Sequence, residues 1–210
     1  MEQTTETQPR ADGRARAMRT IAWGYLFLMP LPLSLFGGWV GIEMLPDVVG
    51  WLIFWSALRH VPRPRAAVAR RLALAGVCVA APRLIMYSPG LDPWRICYFG
   101  LYMVSAIAAV AFTWRLGAAV GAWATEVDDE ALARACLRRR GLFTAYLLLP
   151  AASVFLTVTG LTAPIPVLLL LYVVTALSLS MMMGICNRTA RTLERASAPA
   201  AEAQPADATG

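Results

Sequence analysis

Residues 164–185 read PIPVLLLLYVVTALSLSMMMGI, a run of 22 residues without a charged side chain. As an α-helix this run would be about 33 Å long, which is enough to cross a hydrocarbon layer of about 30 Å. The rest of the composition agrees, because 58% of the residues are hydrophobic and only 15% are charged. In soluble domains about a quarter of all residues are charged. The sequence therefore predicts an integral membrane protein of the all-α class.

Five further apolar segments precede this run, so we expect a polytopic transmembrane helical bundle with about six membrane segments. Their predicted bounds are 18–36, 46–60, 70–87, 94–116, 142–161 and 164–186. The second segment offers only about 21 Å of apolar helix, so whether it fully spans, or forms a re-entrant piece, stays open. We expect a transmembrane domain over 18–188, with a disordered cytoplasmic tail at 1–17 and a mostly disordered one at 189–210.

The basic residues predict the orientation of the bundle. All nineteen are arginines, and only Arg83 and Arg95 fall near the ends of segments that would face outward. The other seventeen lie in the N-terminal tail, the second loop, the fourth loop and the C-terminal tail: Arg10, Arg14, Arg16, Arg19, Arg59, Arg63, Arg65, Arg70, Arg71, Arg115, Arg134, Arg138, Arg139, Arg140, Arg188, Arg191 and Arg195. Positively charged flanks stay in the cytoplasm, so we expect both termini there.

Residues 125–141, TEVDDEALARACLRRRG, predict a short amphipathic cytoplasmic helix over about 126–140. Its first turn is acidic and its last turn is basic, the arrangement that a helix dipole favours. A narrow apolar stripe would lie against the membrane surface, while the arginine triplet meets anionic headgroups. The triplet either anchors the next crossing or contacts a protein partner; it consists of Arg138, Arg139 and Arg140.

Arg83 is the polar residue most out of place, because it lies between AGVCVAAP and LIMY inside the third segment. An unpaired arginine near membrane depth costs about 2–3 kcal/mol on insertion scales. It should therefore reach the headgroups or pair with a carboxylate on the outer face. An ion pair that locks the helices and an anionic-substrate or gating site are both open. The outer-face polar candidates are Glu43, Asp47, Asp92 and Arg95.

The stretch 43–61, EMLPDVVGWLIFWSALRHV, contains a well-formed helix start. Pro46 suits the first helical position, Asp47 places negative charge on the free amides, and Gly50 permits close approach of another helix. Glu43 and Asp47, four residues apart, could also form a cation- or proton-responsive pair.

The same stretch resembles an uncharacterised family of small bacterial multi-pass membrane proteins with a Leu-Pro-Asp-x-x-Gly-aromatic helix start. The matching positions are Leu45, Pro46, Asp47, Gly50, Trp51 and Arg59. Residues 121–140 are also similar to a loop of such proteins, so the resemblance covers about a quarter of the chain. It implies a multi-pass architecture in a bacterial cytoplasmic membrane and no particular activity.

The sequence offers no catalytic or cofactor-binding constellation. His60 is the only histidine and the four cysteines are scattered, which argues against a zinc or bis-histidine haem site. There is no phosphate loop, and the net charge of +6 follows from topology, so we expect neither a cofactor nor a nucleic-acid partner.

We therefore expect a non-enzymatic membrane scaffold or regulatory subunit, whose partners are the bilayer, anionic headgroups, and a protein partner or a second copy. The alternative is a small transporter or channel-like protein with Arg83 and the outer-face carboxylates at its mouth. An intramembrane enzyme is the least favoured class, because catalytic residues are missing from membrane depth.

Overall fold

The computed structural model contains seven α-helices and one short β-hairpin in the part of the chain that it describes. That part comprises residues 8–28, 32–34, 41–43, 47–61, 66–86, 92–159 and 164–197. The helices are α1 (Gln8–Phe27), α2 (Asp47–Ala57), α3 (Ala67–Met86), α4 (Asp92–Glu126), α5 (Glu130–Leu142), α6 (Leu148–Thr159) and α7 (Ile165–Ser197).

The smaller elements connect these helices. Strands β1 (Pro32–Ser34) and β2 (Gly41–Glu43) pair antiparallel between α1 and α2, with Leu33 opposite Ile42. One 3₁₀-helix, Leu58–His60, extends α2, and a second, Phe143–Leu147, joins α5 to α6. The described residues confirm the predicted all-α class, since the hairpin strands have only three residues each.

Among the described residues, two helices are long and apolar enough to cross a membrane. They are Gly100–Glu126 within α4 and Ile165–Ala196 within α7, while α2 is a shorter apolar helix. α4 has 35 residues, or about 52 Å at 1.5 Å per residue, so it exceeds the predicted segment 94–116 and any hydrocarbon layer. α7 likewise continues eleven residues past the predicted end at 186.

Both predicted tails are wrong in their inner parts. α1 begins at Gln8, so residues 8–17 are helical, and α7 ends at Ser197, so residues 189–197 are helical too. Composition alone predicted disorder there, but the two helices pack along each other and bury Ala15 and Leu193. That packing offsets the loss of chain entropy. Residues 1–7 and 198–210 lie outside the described part of the chain.

The predicted first segment, 18–36, is not one continuous helix, because α1 ends at Phe27. Pro30 and Pro32 follow closely; proline lacks the N–H that the next helical hydrogen bond needs and disfavours helix in the preceding residue. The last carbonyls of α1 therefore need other donors. The Tyr146 hydroxyl supplies one, donating to the Leu28 carbonyl at 3.0 Å.

An aromatic cluster holds α1, α2 and α4 together. Phe54 of α2 stacks on Phe112 of α4 with ring centroids 4.5 Å apart, and Tyr25 of α1 meets Phe54 edge-on at 5.0 Å. Trp51 also contacts both phenylalanines edge-on and donates from its indole N–H to the Ser105 hydroxyl at 3.3 Å. All these rings are fully buried, so the cluster fixes the relative positions of the three helices.

Gly76 allows α3 to lie directly against the Trp51 ring. A Cβ atom built at Gly76 would be 2.1 Å from Cδ2 of that ring, which no packing tolerates. Gly76→Ala is therefore expected to lower the free energy of unfolding in detergent micelles by about 1–3 kcal/mol, as overpacked cores do. Equilibrium unfolding with increasing SDS fraction measures this loss. Gly100→Ala is the matched control, because nothing lies within 4 Å of a Cβ there. Equal stability of the two variants would contradict the packing of Trp51.

Candidate functional site

Asp47 and Arg83 form a buried ion pair between α2 and α3. The Arg83 Nη1 donates to Asp47 Oδ2. Arg83 is only 2% exposed and Asp47 only 5% exposed. Asp47 lies in the first turn of α2 and Arg83 in the last turn of α3, so each charge also faces the favourable end of its own helix dipole. Of the carboxylates predicted as partners for Arg83, the described structure pairs it with Asp47.

Two tyrosines of α4 surround the Arg83 guanidinium. Its carbon lies 4.7 Å from the Tyr102 ring centroid and 5.1 Å from that of Tyr98, both within cation–π range. The Arg83 Nη2 also lies 3.4 Å from the Tyr98 hydroxyl. The site therefore links three helices, and arginine suits it better than lysine because its planar group pairs and stacks at the same time.

The ion pair lies far from the arginine-rich end of its helices. Twelve residues separate Arg83 from Arg71 along α3, which is about 18 Å at 1.5 Å per residue. Along α4, thirteen residues or about 20 Å separate Tyr102 from Arg115. Two independent helices thus place the pair at the same distance from that end.

Next to the pair, the buried Tyr102 hydroxyl has no hydrogen-bond partner in the described structure. The Tyr102 hydroxyl lies within electrostatic range of Tyr146, Asp47 and Arg83. The site thus combines a neutralised charge pair, aromatic walls and spare hydrogen-bonding capacity. Sequence analysis missed both tyrosines, although Tyr98 and Tyr102 are four residues apart and so share a helix face.

The other predicted outer-face residues are Glu43, Asp92 and Arg95. Glu43 lies on β2, and Asp92 and Arg95 lie in the first turn of α4, but their side chains are outside the described part. Among the described residues, no group of three His, Cys, Asp or Glu side chains is placed to hold a metal ion.

A second charged region, which we call the arginine layer, lies at the opposite end of the helices. It consists of residues 8–19 of α1, 115–126 of α4, the helix α5, and residues 186–197 of α7. Three ion pairs hold it together: Arg14 with Glu126 at 3.1 Å, Arg19 with Glu194 at 2.7 Å, and Arg188 with Asp129 at 3.6 Å. Ser56 and Ala57 of α2 line the same surface groove as Arg16 and Thr20 of α1. Arg59 and Arg70 of the second loop contact Trp55 at this end of α2, so described arginines from all four arginine-rich regions lie at one end.

Helix α5 packs alongside α4, so the prediction that its apolar stripe faces the membrane surface is wrong for Leu132 and Cys136, which are buried in the protein. The Asp129 N–H donates to the Ala124 carbonyl at 2.9 Å, which turns the chain back sharply, and a Cβ at Gly117 would lie 3.5 Å from Arg140. Asp129 also caps α5 by accepting from the Leu132 N–H at 2.8 Å. The apolar stripe of α5 packs into the core through Leu132 and Cys136, because the extensions of α4 and α7 reach beside it.

The arginine triplet is exposed to differing degrees at the top of α5. Arg140 stacks over Trp114 at 4.8 Å, and Arg139 extends over Gly184 of α7, 3.9 Å from the Cβ position. Below them, Cys136 is buried between α5 and α7. Burial raises the pKa of its thiol to about 11, although Arg139 and Arg188 act in the opposite direction. Cys136 is therefore a packing residue and not a reactive thiolate at neutral pH.

Comparisons with protein-family models, with curated proteins and with solved structures find no match to this chain. The resemblance to small bacterial multi-pass proteins stays a prediction from the sequence. The function must therefore be argued from the two charged regions themselves.

Proposed function

We propose that the chain is a multi-pass protein of a bacterial cytoplasmic membrane, with both termini and the arginine layer in the cytoplasm. The convergence of four arginine-rich regions at one end supports this placement. Tryptophans at that end support it as well, since Trp55 lies 3.5 Å from the Arg59 guanidinium carbon and Trp114 stacks with Arg140. Tryptophan and arginine are typical of the membrane–water boundary.

The proposed crossings are the six predicted segments, with α4 and α7 as full spans. The shorter helices α1 and α2 would reach only part of the way and be covered by their neighbours, as discontinuous backbone in membranes requires. In this frame the Asp47–Arg83 pair lies about 18 Å above the cytoplasmic boundary, past the middle of a layer of about 30 Å.

Within the membrane we propose a non-enzymatic role, as a scaffold or regulatory subunit that presents the arginine layer to a protein partner. The observation that carries this proposal is that Arg83 is neutralised inside the bundle by Asp47, whereas exposed charge remains in the arginine layer. The helices of the layer pack through buried side chains such as Leu132, Cys136 and Leu193, so its surface is preformed, which lowers the entropic cost of binding a partner.

Two measurements test the placement and the role. Reporter fusions after Arg63 and after Ser197 should both report the cytoplasm; an external signal at either site contradicts the topology. A photo-crosslinking residue at Arg191, which is exposed in the layer, should give a discrete protein adduct in native membranes, and one at lipid-facing Leu169 should not. Absence of adducts at Arg191 and Arg195, with normal insertion, contradicts the scaffold role.

A small transporter is the second candidate, favoured by the Tyr102 hydroxyl, which has no hydrogen-bond partner among the described residues and lies beside a charge pair at the proposed membrane depth. Purified protein in proteoliposomes would then move protons or small anions, and Tyr102→Phe would reduce the flux while leaving the ion pair intact. Equal ion leakage in protein-containing and empty liposomes removes this candidate.

A further inference from the structure

The seam between α5 and α7 has an exposed arginine over a glycine. Arg139 is exposed, and its side chain makes no hydrogen bond or ion pair with the described residues. Its guanidinium lies over Gly184, which has no side chain and is itself exposed. Arg188 follows Gly184 by four residues, so the two share a face of α7, where Arg188 is paired with Asp129 at 3.6 Å. The seam is therefore a basic notch with room beside it.

An apolar strip begins directly above this notch. Leu177 is seven residues before Gly184 and so lies on the same face of α7, and it is 58% exposed. Val173 and Leu170 continue the strip toward the outer end of the helix and are 53% and 62% exposed. The strip is about 20 Å long from Leu170 to Gly184, close to the length of an extended acyl chain.

The depth of the notch fits a lipid headgroup. Nineteen residues separate Ile165 from Gly184, which is about 29 Å along α7, or one hydrocarbon thickness. Arg140 and Trp114, at the same level on the neighbouring helices, form the arginine–aromatic pair typical of the boundary.

We propose that the α5–α7 seam binds one anionic phospholipid of the cytoplasmic leaflet, with its phosphate at Arg139 over Gly184 and an acyl chain along Leu177, Val173 and Leu170. Charge complementarity selects an anionic headgroup, and the adjoining apolar strip selects a lipid over free phosphate. Arg138, also exposed and without an ion pair among the described residues, adds to the positive potential. This inference rests on the membrane placement proposed above.

Native mass spectrometry of the protein in detergent, titrated with phosphatidylglycerol or phosphatidylcholine, tests the site. We expect the first phosphatidylglycerol to bind preferentially, and Arg139→Gln to weaken that binding about fivefold, the effect of one arginine near an anionic surface. Gly184→Leu should also weaken it, because the added side chain fills the notch without changing the charge. Arg134→Gln is the matched control, since Arg134 is on the same helix, five residues or about 7.5 Å before Arg139, and is paired with Glu130.

Three outcomes would overturn the proposal. One is equal loss of binding in Arg139→Gln and Arg134→Gln, which indicates diffuse attraction. Another is equal binding of the two lipids or full competition by inorganic phosphate. The third is a stable dimer in which the strip binds a second copy instead of lipid. Alkaline extraction of native membranes separates the proposals: release of the wild-type chain contradicts the membrane placement itself, whereas retention without lipid preference contradicts only the lipid site.

Discussion

Replacing Asp47 by asparagine is expected to lower the free energy of unfolding by about 3–5 kcal/mol, the usual loss when one partner of a buried ion pair is removed. The Arg83 guanidinium would remain charged, because arginine does not release its proton in proteins, and it would have lost its buried carboxylate partner. The cation–π contacts with Tyr98 and Tyr102 persist but replace only part of that interaction. Equilibrium unfolding in mixed micelles measures the loss.

The double variant Asp47→Asn with Arg83→Gln separates charge from shape. It removes both charges and so leaves no uncompensated charge, although glutamine is two heavy atoms shorter than arginine, and we expect it to regain part of the stability lost in the single variant. Glu130→Gln provides the exposed control. It breaks the pair between Glu130 and Arg134, whose side chains are 82% and 73% exposed, and we expect almost no change in unfolding.

Two outcomes would contradict the expected role of the buried pair. If Asp47→Asn unfolds like Glu130→Gln, then Asp47 and Arg83 are hydrated and do not form a buried pair. If the double variant is as unstable as the single one, then the lost stability comes from side-chain geometry and not from an uncompensated charge. The first result would also remove the observation on which the scaffold proposal depends.

The ion pair shows what a sequence can predict about a membrane site. An arginine between apolar residues must be compensated, so Arg83 could be singled out and a short set of carboxylate partners proposed. The choice of Asp47 required the tertiary structure, because it depends on α3 meeting the start of α2 across the Gly76–Trp51 contact. The tyrosine walls were equally out of reach, since tyrosine in an apolar helix is too common to signal a partner.

The arginine layer shows the opposite case, in which local patterns predicted the element but not its environment. The charge order predicted a helix over about 126–140, and one is present at Glu130–Leu142. Its apolar stripe was assigned to the membrane surface because no protein surface was known to lie beside it. The long helices α4 and α7 provide that surface. Their extensions beyond the predicted segments carry polar residues on the exposed side, so a hydropathy profile predicts the helix ends too early. A hydropathy profile shows where an apolar run of the sequence ends, and the helix can continue beyond that point.

The aromatic cluster leads to a second large expected effect, in Phe112→Ala. Phe112 is fully buried, stacks on Phe54, and meets Trp51 edge-on at 5.9 Å. Loss of a buried phenylalanine ring costs about 3–5 kcal/mol in soluble cores. In a bilayer or micelle the unfolded chain keeps its apolar surroundings, so part of the transfer term disappears and the lost packing contacts remain. We therefore expect about 2–4 kcal/mol, measured by the same unfolding assay.

Phe155→Ala is the matched control for this variant. Phe155 lies on α6 and is 59% exposed, so in the proposed placement its ring faces lipid, and its removal should change the unfolding free energy little. A third variant, Phe155→Asp, tests whether this face of α6 contacts hydrocarbon or water. Phe155→Asp should reduce membrane insertion or stability because a carboxylate would face hydrocarbon, whereas on a water-exposed surface it would be harmless. Tolerance of Phe155→Asp together with detergent-free solubility would mean that the exposed apolar faces of α6 and α7 face water or another protein, and not a bilayer.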